Sequence, residues 1–124
     1  GVVGIWLFYV QHQFAPGYWA RDTEWNQYQA AMLGASHYKL PSVLRWFTGN
    51  IGVHHIHHLQ PRIPNYNLNR ALAAIPPEEE PKPLTLLGSL KAVRINLYWE
   101  LERRFLSFRE AHRIMRNAAE VSVR

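Results

Sequence analysis

The chain has 124 residues, enough for one small domain with a modest core, and its 48% hydrophobic and 13% aromatic content excludes a disordered polymer. It has no cysteine, which excludes disulfides, thiolate metal ligands and a cysteine nucleophile. On charge alone, the formal +5 suits an anionic membrane surface, an acidic protein or nucleic acid, without choosing between them.

Residues 1–14 open on "GVVGIWLFYV", a stretch without a charge. No apolar run reaches the roughly 18 residues that a complete membrane span needs. The stretch therefore reads either as the end of a transmembrane helix or as a buried core element. Because the chain starts at Gly1 inside this apolar run, it is expected to be a fragment or a processed product. Pro16 and Gly17 break the segment. Asp22 is the expected N-cap of a helix over "TEWNQYQAAML", stopped by Gly34, with Trp25, Tyr28 and Met32 on one face. A second helix is expected from Ser42 to Phe47.

Gly49 and Gly52 flank Asn50 and permit a turn or a close backbone approach. Helix is expected again through "HHIHH" to about Leu59, after which Pro61 and Pro64 impose an extended, wrapped loop. Residues 75–83, "IPPEEEPKP", read as an exposed, proline-rich linker. Beyond them Leu86, Leu90, Val93, Leu97, Leu101, Phe105 and Phe108 recur at spacings of three or four. That spacing predicts one amphipathic basic helix, so that residues 84–124 form a helix and tail. Such a helix packs on a core or lies on an anionic bilayer. Lys91, Arg94, Glu100, Glu102, Arg103 and Arg104 disfavour its crossing one.

The histidines carry the chemistry. Four of the seven fall at His54, His55, His57 and His58. On a helix, positions i, i+3 and i+4 share a face, so His54, His57 and His58 fit an arc of about 100° while His55 points aside. The pattern is H-x-x-H-H. Neutral imidazole is the usual nitrogen ligand of zinc, iron and copper, and three imidazoles this close resist joint protonation. No cysteine, H-E-x-x-H or neighbouring carboxylate marks a standard zinc site. The residues alone imply a metal with open positions. His12, at the end of the apolar run, reads by itself as a helix-end polar residue, and His37 and His112 read as structural.

Several stretches resemble the C-terminal part of the membrane fatty acid desaturases, closest to their acyl-lipid Δ12/ω-6 branch. They are "WLFYVQHQF", "YWARDTEW", "LPSVLRWFTGNIGVHHIHHLQPRIPNYNL" and "LTLLGSLKAVRINLYWE". The resemblance identifies His54, His57 and His58 as the third of that family's three histidine boxes, and it raises His12 to a fourth iron ligand. The first two boxes and the early membrane hairpin are not in this chain. Where related chains often have an acidic residue after "QHQF", Ala15, Pro16 and Gly17 stand here.

The resemblance implies a mostly α-helical, C-terminal cytoplasmic or stromal portion of an integral-membrane enzyme. In that reading residues 1–14 end a transmembrane helix and residues 15–74 form a helical region holding the box. It implies two non-haem irons and O2 as co-substrate, with the histidines acting as ligands and not as acid–base groups. The implied partners are lipid acyl chains, the membrane surface, and an electron donor such as ferredoxin or cytochrome b5; nucleic acid is not among them. Asn50 and Gln11 are candidates to orient a ligand or a bound water, and a turn-capping role suits Asn50 equally. A related di-iron lipid hydroxylase or ketolase, or a small basic metal-binding module, are the rival readings. The chain alone is expected to be inactive.

Overall fold

A computed structural model describes residues 1–122. The architecture is mostly helical. Helix α1 spans Val2–His12, α2 Gln27–Gly34, α3 Ser42–Phe47, α4 His54–Leu59 and α5 Leu68–Leu72. Two short strands, β1 (Tyr38–Lys39) and β2 (Leu84–Thr85), pair in parallel with Tyr38 opposite Leu84. After α6 (Leu86–Ser89) a hairpin of β3 (Leu97–Trp99) and β4 (Arg104–Leu106) precedes α7 (Phe108–Ser122).

Helix α1 buries only its C-terminal end. Val10 and Gln11 are enclosed, whereas Val2, Val3, Ile5 and Phe8 stand exposed. No helix of the described residues is long and apolar enough to cross a membrane. Two small cores hold the body together. Val10, Tyr38, Leu40 and Ala92 form one, with Trp6, Leu7 and Leu84 packed against it. Val53, Ile56 and Leu68 form the other, under Ile63 and Leu72. Helix α2 packs on α4 and so backs the histidine segment.

The start of α2 differs from expectation. Asp22 begins a single 3-10 turn, Asp22–Glu24, and the cap is Asn26, whose side chain accepts from the Gln29 N–H at 3.0 Å. Both residues are good caps, and Asn26 lies directly before the apolar-periodic turn that α2 buries. The wrapped loop after Pro61 is as expected up to Pro64. It then tightens into a 3-10 turn, Asn65–Asn67, and α5. The proline-rich linker is mostly exposed but tied back: Glu79 accepts from the Tyr28 hydroxyl, and Glu80 pairs with His37 at 2.7 Å.

The single amphipathic helix expected from residue 84 is not formed. Residues 86–94 make one α-turn and one 3-10 stretch, Leu90–Arg94, and the next residues are extended. Leu101 falls in the turn of the hairpin, and the register sets Leu97 opposite Leu106 and Phe105 opposite Tyr98, so the residues of the expected stripe stand on opposite faces. Aromatic pairing then decides in favour of the hairpin. Tyr98 faces Phe105 across it, with ring centroids 5.1 Å apart, and the Arg104 guanidinium lies 5.6 Å from the Trp99 ring centre. The true C-terminal helix is α7 alone.

Candidate metal centre

The histidine helix is aimed by the backbone before it. Gly49 and Asn50 both take left-handed φ, at 59° and 58°. Gly52 passes so close to β1 that a β-carbon there would sit 2.5 Å from the Tyr38 carbonyl oxygen. The Tyr38 N–H donates to the Gly52 carbonyl at 2.7 Å and fixes that approach. Asn50 donates to the Asn65 carbonyl (3.3 Å) and accepts from the Asn69 amide (2.8 Å). Its side chain thus clamps the loop after the histidines and makes no bond to an imidazole.

Helix α1 supplies the fourth histidine. The buried Gln11 side chain donates to the Ile51 carbonyl at 2.9 Å, and the Ser36 N–H donates to the Gln11 carbonyl at 2.9 Å. These bonds pin the end of α1 against the loop ahead of α4. Gln11 therefore holds the frame and touches no histidine ring nitrogen by hydrogen bond.

The result is a convergence of three Nε2 atoms. His54 Nε2 lies 3.1 Å from that of His12 and 3.0 Å from that of His58. All three ligand atoms fall within 4.8 Å of one another. His57 stacks beside His54, with ring centroids 5.6 Å apart, and stays outside this nitrogen cluster. His54 is buried, His12 half-buried and His58 exposed, so the cluster opens to one side.

The electrostatics disfavour the charged forms of His54 and His58. Burial pushes His54 down to about 3, reinforced by His58, His12, His57 and His55. Burial lowers His58 as well, with His12 and His57 adding to it. A neutral ring has one N–H, so a central Nε2 facing two others cannot satisfy both by hydrogen bonding. Two Nε2–Nε2 separations near 3.0 Å that hydrogen bonding cannot both satisfy suit a cation. Metal–nitrogen bonds of about 2.1 Å meeting near 90° place the nitrogens about 3.0 Å apart. The donor set therefore fits a nitrogen-liking metal with positions left open. His54 Nδ1 is buried without a partner among the described residues. A ligating imidazole normally donates this second N–H to an acceptor.

Sequence reasoning missed the surroundings of His55. The ring does leave the ligand arc, yet it is fully buried and neither nitrogen has a well-aligned hydrogen-bond partner. His37 lies beside it, with centroids 5.5 Å apart, and is itself held by Glu80. Burial first, and then the His37 charge, push His55 down to about 4, with the Ser36 backbone and Glu80 pulling weakly the other way. No local signal announced this burial, since His55 lies off the Val53–Ile56 core side of the helix and its cover comes from residues distant in the chain.

Comparison with known proteins places the chain. The family model described as fatty acid desaturase matches residues 1–87, which include all four converging or stacked histidines. The chain belongs to the fatty acid desaturase family. The Bacillus subtilis (strain 168) fatty acid desaturase is 47% identical to this chain over 109 residues, covering 88% of it and 31% of the relative. The chloroplastic omega-6 fatty acid desaturase of Brassica napus is 44% identical over 52 residues, covering 42% of this chain and 12% of the relative. That of Spinacia oleracea is 37% identical over 65 residues, with 52% and 14% covered. The chain thus spans about a third or less of the length of these curated relatives. No solved structure matches it.

Proposed function

We propose that this chain is the third-histidine-box portion of an O2-dependent, di-iron desaturase that introduces a cis double bond into a fatty acyl chain, of the acyl-lipid Δ12/ω-6 type. The observation that carries the reading is the meeting of His12, His54 and His58 Nε2 atoms in a member of this family. These three residues hold one iron. His57, stacked on His54 but outside the cluster, is assigned to the second iron. Iron, when bound, supplies the O2 chemistry that removes two hydrogens from adjacent methylenes. With two electrons from a donor such as ferredoxin or cytochrome b5 and two protons from solvent, the oxygen leaves as two waters.

The chain's own residues bind and position. Helix α4 sets the i, i+4 pair His54–His58, and Gln11 presents His12 to them through the Ile51 carbonyl. The low proton affinity of His54 and His58 keeps them available as neutral ligands. The exposed apolar side of α1 supports its assignment as the end of a transmembrane helix, with the histidines on the cytoplasmic or stromal face. The remaining ligands and the walls of an acyl channel belong to the two boxes and the hairpin that this chain does not contain.

The test is a full-length protein carrying His54→Ala, His57→Ala or His58→Ala. Each variant is expected to lose bound iron and the unsaturated product together. Retained iron with retained unsaturation would overturn the assignment, and a hydroxylated product from the parent would transfer it to a lipid hydroxylase.

A further inference from the structure

We propose that α7 is a bilayer-surface element whose occupant is an anionic lipid surface, independent of the histidine centre. The helix spans fifteen residues and starts well beyond residue 87, where the family match ends. At 100° per residue, Ile114, Ala118, Ala111, Met115, Phe108 and Ala119 fill an arc of about 140°. His112, Arg116, Arg109, Glu120 and Arg113 fill the neighbouring arc of about 100°. The two arcs abut between Ala119 and His112, and the basic arc holds one carboxylate against three arginines.

Two further observations separate this from a helix with a merely solvated face. Most of the apolar arc is uncovered: Phe108 is 56% exposed, Met115 is 69% exposed, and Ala118 and Ala119 are exposed with them, while Ala111 and Ile114 are half-buried. Among the described residues no other element packs extensively on α7. Nor are the guanidiniums spent within the protein. Arg104 takes Glu102 and Glu110, whereas Arg109, Arg113 and Arg116 have no ion-pair partner among the described residues.

An exposed apolar strip flanked by unpaired arginines is the pattern that seats a helix in the plane of a bilayer, its apolar side at the acyl boundary and its cations among phosphates. Nucleic acid would use the arginines but leave Phe108 and Met115 in water. The exposed apolar residues of α1 give the same molecule a second apolar surface.

The absence of cysteine makes the test direct. Met115→Cys and Asn117→Cys place single thiols on the apolar and the polar side of α7 in the 124-residue chain. Each is labelled with an environment-sensitive dye and mixed with vesicles of phosphatidylcholine, with and without phosphatidylglycerol. The label at 115 is expected to shift to the blue and resist an aqueous quencher with the anionic vesicles, reversibly with salt, while the label at 117 stays accessible. Replacing Arg109, Arg113 and Arg116 by Gln should lower the ratio of protected to unprotected label about 100-fold, at roughly fivefold per cation. No shift at 115, equal shifts at both sites, or an unchanged ratio in the triple variant would overturn the proposal. Protection at 115 without vesicles, rising with protein concentration, would assign the face to a second copy and overturn it equally.

Discussion

The Nε2 atom of His12 lies 3.1 Å from that of His54, although 42 residues separate them in the chain. One of these residues ends α1 and the other begins α4, so the contact is made by two helix ends and a loop wedged between them. The geometry holds only while Gln11 and Gly52 keep that loop in place.

Cobalt(II) reports the nitrogen cluster by its absorption. The chain should bind it through His12, His54 and His58, and replacing any of the three by Ala should weaken binding by at least about tenfold, the lower end of what loss of a mere supporting contact costs. His57→Ala should change it less, because that ring stands outside the cluster. An equal loss at His57 would move the ligand set onto the box alone.

Acid should unfold the metal-free chain early. In the unfolded state His54 and His55 take up protons near 6.5, whereas burial holds them at about 3 and about 4 in the fold. Above 6.5 both states are neutral, and these rings add no pH dependence. As pH falls from 6.5 toward 4 the unfolded chain gains protons that the folded chain does not, so stability drops through that window. Urea midpoints measured from pH 7.5 to pH 4.5 should fall steadily below about 6.5. A flat profile would mean that the two rings are solvated.

Gln11→Met tests the frame without touching a ligand. It removes the donor to the Ile51 carbonyl while keeping the shape of the buried side chain. Stability should fall by about 1–2 kcal/mol, and cobalt affinity should fall with it because His12 is no longer presented. Lower stability with unchanged affinity would show that α1 is held by its packing alone.

His55→Leu should be neutral or stabilising by up to about 1–3 kcal/mol, because it replaces a buried ring whose nitrogens lack good partners. Gly52→Ala should do the opposite and cost about 1–3 kcal/mol, since its β-carbon meets the Tyr38 carbonyl. Denaturant titration of the two variants reads both signs. A stability loss in His55→Leu comparable with that of Gly52→Ala would mean that the ring nitrogens are bonded in solution.

What the sequence by itself determined is local. The i, i+3, i+4 spacing of His54, His57 and His58 needs only the pitch of one helix, and α4 forms over those residues. The short helix from Ser42 to Phe47 and the turn at Gly49 and Asn50 follow from neighbours in the chain in the same way. The family resemblance was legible for the same reason, since its motifs are contiguous. The tertiary structure decided whatever depends on distant partners. His12 meets His54 only because the Ile51 carbonyl lies within reach of Gln11, and His55 is buried only because α2 and His37 close over it. Residues 97–106 show a different limit. Their four-residue apolar spacing reads as a helical stripe, but a turn and the Tyr98–Phe105 contact, seven residues apart, fold the segment into a hairpin that a helix-period reading does not weigh.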